Sequence, residues 1–319
     1  MARPGAGLAA GAAAAEGAWG TEALRLAVAA AWTALALALW HLAIRRTVEP
    51  SAAGATTARA GRGGRPADLR WLGRPATTAR TAIAARCQHY WFTDPRYLAG
   101  LVVIPLLFVL LWFMSSTMGG GALGLLLLMG PITAWSLGYS LSADIGYDHT
   151  AFHQHVLAGV RGVDDRWGRV LGLFGWGVPL VVAVTAATVA ANAEWTLLPA
   201  LLGASLGLLG ACTGLSSLVS ARWVYPVPRP GDSPLKTPQG AAARTALVQG
   251  ASLVATAVLA VPMAVPFVVL LVTGSPVWSW VTLVVGVAWG ALALWLGVRW
   301  GAAWYDRAQA ETLQAVRAW

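Results

Sequence analysis

"TALVQGASLVATAVLAVPMAVPFVVLLVTGSPVWSWVTLVVGVAWGALALWLGV", residues 245–298, runs for 54 residues without an Asp, Glu, Lys or Arg. A helix that crosses a ~30 Å hydrocarbon core needs about 20 apolar residues at 1.5 Å each. The stretch therefore holds two spans, with "TGSP" (273–276) as the turn between them. Working outward, four more runs carry no charge: 26–44, 97–143, 170–193 and 195–221. The 47-residue run 97–143 fits two spans divided at "SSTMGGG" (115–121), and the others fit one each. Seven spans result, near 25–44, 97–114, 120–141, 169–191, 197–220, 248–272 and 278–300. Only 11% of the chain is charged and 57% is hydrophobic, far from the ~25% charged residues of soluble domains. Buried helices of a large soluble domain would show polar faces on most helices. The expected fold class is an all-α integral membrane protein of about seven transmembrane helices.

Basic residues set the expected orientation, because positively charged loops stay cytoplasmic. Of 22 Lys and Arg, ten lie in 45–96, three in 142–169, four in 221–247 and three from Arg299 onward. Only Arg3 and Arg25 fall on the other side. The sequence thus predicts a multi-pass membrane protein with its N-terminus outside and its C-terminus cytoplasmic. The net charge of +9 does not point to nucleic acid, since the basic residues are scattered along loop flanks without interleaved stacking aromatics. Membrane lipids account for them. Trp112, Trp195, Trp278, Trp280 and Trp300 sit near expected span ends, where an indole rests among headgroups. Cys87 and Cys212 give no disulfide framework or CxxC site. The opening "MARPGAGLAAGAAAAEGAWG" lacks the charged start and apolar core of a signal peptide and reads as a disordered external tail.

Several chemistries are excluded by motif. No G-x-x-x-x-G-K-[ST] occurs, and the one lysine, Lys236 in "GDSPLKTPQG", follows Leu235 where that motif needs glycine. The S-x-x-K from Ser233 to Lys236 contains Pro234 among further prolines, which favours loop over the helix that such a nucleophile site uses. His89 and Asp94 in "HYWFTD" could pair a general base with its orienting carboxylate. The surrounding "TTARTAIAARCQHYWFTDPRY" reads instead as an amphipathic helix, with Ile83, Cys87, Tyr90 and Trp91 on the face that lies along the membrane interface, stopping at Asp94-Pro95.

The polar chemistry of the chain is concentrated in "DIGYDHTAFHQHVLAGVRGVDDRWGR" (144–169), which holds three histidines, four aspartates and three arginines. A metal site could use His149 and His153, four apart on one helix, with Asp148 or His155. His155, six from His149, falls on the far side of that helix. The expected role is an interaction surface, in which Phe152, Val156 and Leu157 are rimmed by Asp164, Asp165 and Arg166. No metal and no catalytic residue is assigned.

The order of these parts resembles the ABC-2 type permeases of ABC transporters: an interfacial helix ending "FTDPRY", two spans, the 144–169 loop, two spans, "YPVPRPGDSPLKTPQG" (225–240) and two spans. The likeness is to an actinobacterial branch with a similar "AYD-TAF-LHV--GV-G--DR-GR" signature. Tyr147, Asp148, Thr150, Ala151, Phe152, His155, Val156, Gly159, Val160, Gly162, Asp165, Arg166, Gly168 and Arg169 stand at its positions. The resemblance implies an interfacial connecting helix over 76–94 and a six-helix permease domain within 76–305. It also implies a coupling helix, 148–166, that docks on a separate ATP-binding subunit. Asp148, His149, Thr150, Phe152, His153, His155, Val156, Asp165 and Arg166 would make that contact, with Phe152 as anchor. The chain itself would need no cofactor.

A six-span domain leaves 23–46 as an extra first helix. Residues 31–37, "AWTALAL", nearly repeat 288–294, "AWGALAL", and both helices run out into arginines. This suggests the C-terminal half of a longer two-half permease, with 1–22 as external tail, 47–75 as flexible cytoplasmic linker and 306–319 as cytoplasmic tail. The partner would be a second permease half or another copy. With no charge in 97–143 or 245–298, the cargo is expected to be apolar or amphiphilic. The spans offer only hydroxyls such as Ser136, Tyr139, Ser140, Thr185, Thr213, Ser216, Ser217 and Thr256. Rival readings are a secondary transporter, for which His41 is the sole relay candidate, and a polytopic acyl- or glycosyltransferase built on His89 and Asp94.

Overall fold

The computed structural model describes residues 77–117, 122–229, 232–233 and 242–317. Among these residues there is no β-strand. Helices satisfy every backbone N–H and C=O within the segment, which lipid requires. The chain divides into two compact units, residues 1–64 with 110–123 and residues 65–109 with 124–319. The packing described below is that of the second unit.

Helix α1 (Ala79–Thr93) starts with a capping box, in which the Thr78 and Thr81 hydroxyls accept from each other's backbone N–H. It stops at Asp94, ahead of Pro95. Then follow α2 (Pro95–Thr117), α3 (Met129–Ser140), α4 (Asp144–Asp148), α5 (Phe152–Leu157), α6 (Gly162–Asn192), α7 (Leu198–Arg222), α8 (Ala242–Thr273), α9 (Val277–Arg307) and α10 (Gln309–Arg317). Six stretches are long and apolar enough to cross a membrane: Pro95–Met114, Gly124–Leu157, Gly162–Asn192, Trp195–Arg222, Ala242–Thr273 and Val277–Arg307. The described chain is therefore that of a multi-pass membrane protein. The expected first span near 25–44, with His41 and the "AWTALAL" repeat, lies outside the described residues. So do the external tail 1–22, the linker 47–75 and Lys236.

The long helices overshoot their expected boundaries at one end. α6 begins at Gly162 rather than near 169, because Asp164 and Asp165 in its first turn complement the positive end of the helix dipole. α8 and α9 likewise run on to Ala242 and Arg307. Every described arginine lies on α1, at this same end of a long helix, or in the segments that join or follow it. The connections at the opposite end, 193–197 and 274–276, hold none. In the second of these Gly274 takes φ 64° and its N–H donates to Leu270 O at 2.8 Å, the left-handed close to a helix for which glycine is suited.

α7 lies at the centre of the unit, packed by α3, α6, α8 and α9. Its contact with α9 is made by backbone. A Cβ at Gly207 would stand 2.5 Å from Gly286 O, and one at Gly210 would stand 2.6 Å from Gly290 O. Small residues every three or four positions let two helices approach this closely in lipid, where no hydrophobic force drives them together. α1 docks on α6 in the same way: Cβ atoms at Gly168 and Gly172 would meet Ile83 Cβ at 2.8 Å and Ala84 O at 2.9 Å. The face of α1 expected to meet lipid is thus mostly covered, with Ile83, Cys87 and Trp91 buried and Tyr90 half-buried. Within the expected tail 306–319, residues 309–317 form α10, whose Val316 and Leu313 pack beside Phe152.

Gly207→Val should disrupt the α7–α9 contact, since backbone cannot yield as a side chain can. A loss of about 3 kcal/mol is expected, read as a drop in thermal unfolding temperature in detergent. Gly250→Ala, where an added Cβ meets nothing within 4 Å, should be neutral or slightly stabilising.

Candidate functional site

Segment 144–169 folds inward. His149 adopts φ 44°, a costly left-handed value for a non-glycine residue, and it ends α4. After a short 3-10 turn and α5, Gly159 at φ 59° and the extended Arg161 break the chain again before α6. The expected continuous helix over 148–166 is therefore two short helical pieces and the first turn of α6. The helical phase read from the sequence resets at each break.

This folding brings three carboxylates and three guanidinium groups together, all buried except the half-buried Arg86. Arg169 on α6 pairs with Asp148 through Nη2, and its Nε donates to Asp165 Oδ2 at 3.0 Å. Asp144 Oδ2 lies 3.6 Å from Arg169 Nη1. From α1, Arg86 Nη2 reaches Asp148 Oδ2 at 3.2 Å. Arg166 pairs with Asp165, donates from Nη1 to Ser220 Oγ on α7 at 2.7 Å, and lies over the Tyr305 ring of α9 at 5.6 Å. Tyr97 at the start of α2 donates its hydroxyl to Asp144 Oδ1 at 2.7 Å. His155 Nδ1 on α5 stands 2.9 Å from Asp165 Oδ1, within ion-pair reach but off hydrogen-bond alignment. Seven helices thus meet at one cluster in which the opposite charges balance. Desolvating such ions costs several kcal/mol each, so removing one member typically costs about 3–5 kcal/mol.

Beneath α5, Phe152 is 0% exposed and sits with Ile145, Ala221, Val224, Tyr305 and Val316. It therefore faces its own core and is not an exposed anchor for a partner. Of the other residues expected at that contact, Asp148, His155, Asp165 and Arg166 are buried in the charge cluster. His149, His153 and Val156 are half-buried, and Thr150 is exposed. The surface presented instead is Thr150, Gln154, Leu157, Ala158, Gly159 and Arg161, with Leu157 73% exposed. An aromatic side chain on a short segment next to a core is drawn inward before it is offered outward, which is the signal that could have located Phe152.

The chemistry of the cluster is structural. Asp144, Asp148 and Asp165 are each committed to an arginine or to Tyr97. Among the described residues no group of three or more His, Cys, Asp or Glu could hold a metal ion. His89 is exposed, and Asp94 is held by Arg96 through Nε at 3.0 Å and Nη2 at 2.6 Å. The Asp94 carboxylate thus serves Arg96 rather than orienting an imidazole. Burial pushes the Cys87 thiol up to about 12. Searches against protein-family models, curated proteins and solved structures found no match to the chain.

Cys87 gives a way to read this packing. Its neutral buried thiol should resist alkylation at pH 8 in the folded protein. Because the folded value lies above the ordinary 9.0, the thiol's contribution to stability is complete below pH 9 and declines as pH rises from there toward 12. Phe152→Ala should cost about 3–5 kcal/mol of stability and speed Cys87 alkylation. Unchanged labelling and unfolding temperature would mean that the ring lies outside the core.

Proposed function

We propose that this chain is the membrane-spanning subunit of an ATP-driven transporter of the ABC-2 type, exporting an apolar or amphiphilic substrate across a bacterial plasma membrane. Segment 144–169 is its coupling element, and the arginine-bearing end faces the cytoplasm in keeping with the positive-inside bias. The supporting observation is mechanical. The segment exposes a small tip, Thr150 to Arg161, whose root is tied to α1, α6, α7 and α9 by the buried charge cluster. A push on a tip so rooted moves the spans as bodies, which is what alternating access by rigid-body rocking requires.

ATP binding and hydrolysis then belong to a separate nucleotide-binding subunit, because the chain carries no phosphate-binding G-x-x-x-x-G-K-[ST] loop. The apolar runs 97–143 and 245–298 favour cargo without a fixed charge. Some internal hydroxyls are turned to their own helices, as with Thr185 Oγ1 donating to Val181 O at 2.8 Å and Ser140 Oγ to Ser136 O at 2.7 Å. A second permease half or a second copy completes the pathway. The transferase alternative loses its best pair with Asp94 bound to Arg96. The secondary-transporter alternative would need an uncompensated ionisable residue at mid-membrane depth, whereas the buried charges described here gather, paired, at one end.

Leu157 takes the place of Phe152 as the expected anchor. Tagged protein drawn from its native membrane should bring down an ATP-hydrolysing subunit. Leu157→Asp should weaken that association roughly thirtyfold, the effect of losing a ~2 kcal/mol hot spot, while leaving the unfolding temperature unchanged. Transport without any ATP-hydrolysing partner, or undiminished capture by Leu157→Asp, would overturn the proposal.

A further inference from the structure

The outer flank of α6 and α9 carries a groove of about 410 Å³ lined by Val163, Trp167, Trp295, Val298, Arg299 and Ala302, with Asp306 at its outer end. Its depth in the membrane follows from α9. Arg299 lies 22 residues beyond Val277, the first residue of that helix, or about 33 Å along the axis, close to the ~30 Å hydrocarbon thickness. Trp278 and Trp280 flank one end of this interval and Trp300 the other, as indoles do at the two headgroup layers. Arg299 is therefore at phosphate depth, and Trp295, one turn deeper, is at the level of the upper acyl chain.

Arg299 is exposed and pairs with no carboxylate among the described residues. Its guanidinium instead stacks over the Trp295 ring at 5.3 Å, and both side chains line the groove. Asp306, the carboxylate in the groove lining among the described residues, accepts from Gly162 N at 2.6 Å. It stands seven residues, about 10 Å, farther toward water. The floor is apolar and tight, with Val298 and Ala302 buried and Val170, Leu294 and Phe174 packed against Val298. The groove thus offers a fixed cation at headgroup depth, aromatic walls and an apolar floor.

From this complementarity we infer that the groove is a binding site for one anionic phospholipid. The phosphodiester meets Arg299, and an acyl chain lies along Val298 between Trp167 and Trp295. A basic residue near an anionic membrane surface is worth about a fivefold preference for an anionic over a zwitterionic lipid. The inference depends on membrane insertion and not on what the protein transports.

Delipidated protein in detergent is titrated with phosphatidylglycerol or phosphatidylcholine, and bound lipid is counted by native mass spectrometry. Wild type should retain one phosphatidylglycerol with roughly fivefold preference. Arg299→Gln should abolish the preference, Trp295→Leu should reduce it, and Arg307→Gln, an exposed charge outside the groove, should keep it. The unfolding temperature of each variant shows that the fold is intact. The inference is overturned if Arg299→Gln keeps the preference, if Trp295→Leu leaves it intact, or if Arg307→Gln lowers it equally, which would indicate diffuse attraction. Displacement of the lipid by inorganic phosphate at equal concentration would also overturn it, since the site would then take a soluble anion.

Discussion

Arg169 is the pivot of this structure. A guanidinium 2% exposed on a helix that continues into lipid must be compensated, and its compensation comes from three carboxylates on two elements. Asp165 stands on its own helix one turn back, whereas Asp144 and Asp148 arrive on α4. That requirement fixes where α4 must sit, and α1 and α2 follow because Arg86 and Tyr97 complete the remaining valences of Asp148 and Asp144. Exposed ion pairs would contribute little to stability. Here burial makes every member depend on the others, so the cluster acts as a specification of geometry more than as a source of net stabilisation.

The apolar body of the bundle is held by a different force. Lipid tails are as apolar as valine, so α7 and α9 gain from association chiefly by close contact, and glycine supplies it: Gly203, Gly207, Gly210 and Gly214 face Gly286, Gly290 and Gly297, and Gly301 lies against the Ser217 backbone. The two devices divide the molecule between them. Glycine contacts run through the apolar length of α7 and α9, and the charge cluster closes the end where these helices leave the membrane. The second device is directional, since Arg and Asp must meet in one register.

Much of the architecture is legible in the sequence because lipid imposes a coarse rule: length without charge. The six described spans fall where uncharged runs predict them, and the turn at 273–276 and the stop at Asp94-Pro95 follow from glycine and proline chemistry. The finer placement was harder to read for physical reasons. Treating 148–166 as one helix assigns Phe152 to an outward face, but a positive φ at His149 resets the phase, and nothing in the residue type announces it. The polar residues of 144–169 suggested an interaction surface, although its four Asp and three Arg, joined by Arg86 of α1, can equally pair with one another and be buried. The glycine spacing of α7 and α9 was visible and would have identified their contact. The apolar face of α1 was also visible, but the sequence does not say whether lipid or Gly168 and Gly172 cover it.

Segment 144–161 is rooted in a buried charge cluster and is not a solvated loop. Hydrogen–deuterium exchange across the purified protein measures this directly. Amides within Asp144–Asp148 and Phe152–Leu157 should exchange as slowly as those at the start of α6. In Arg169→Met the same amides should open selectively while α7 and α9 stay protected. Rapid exchange of the wild-type segment, at the rate of a free loop, would contradict it.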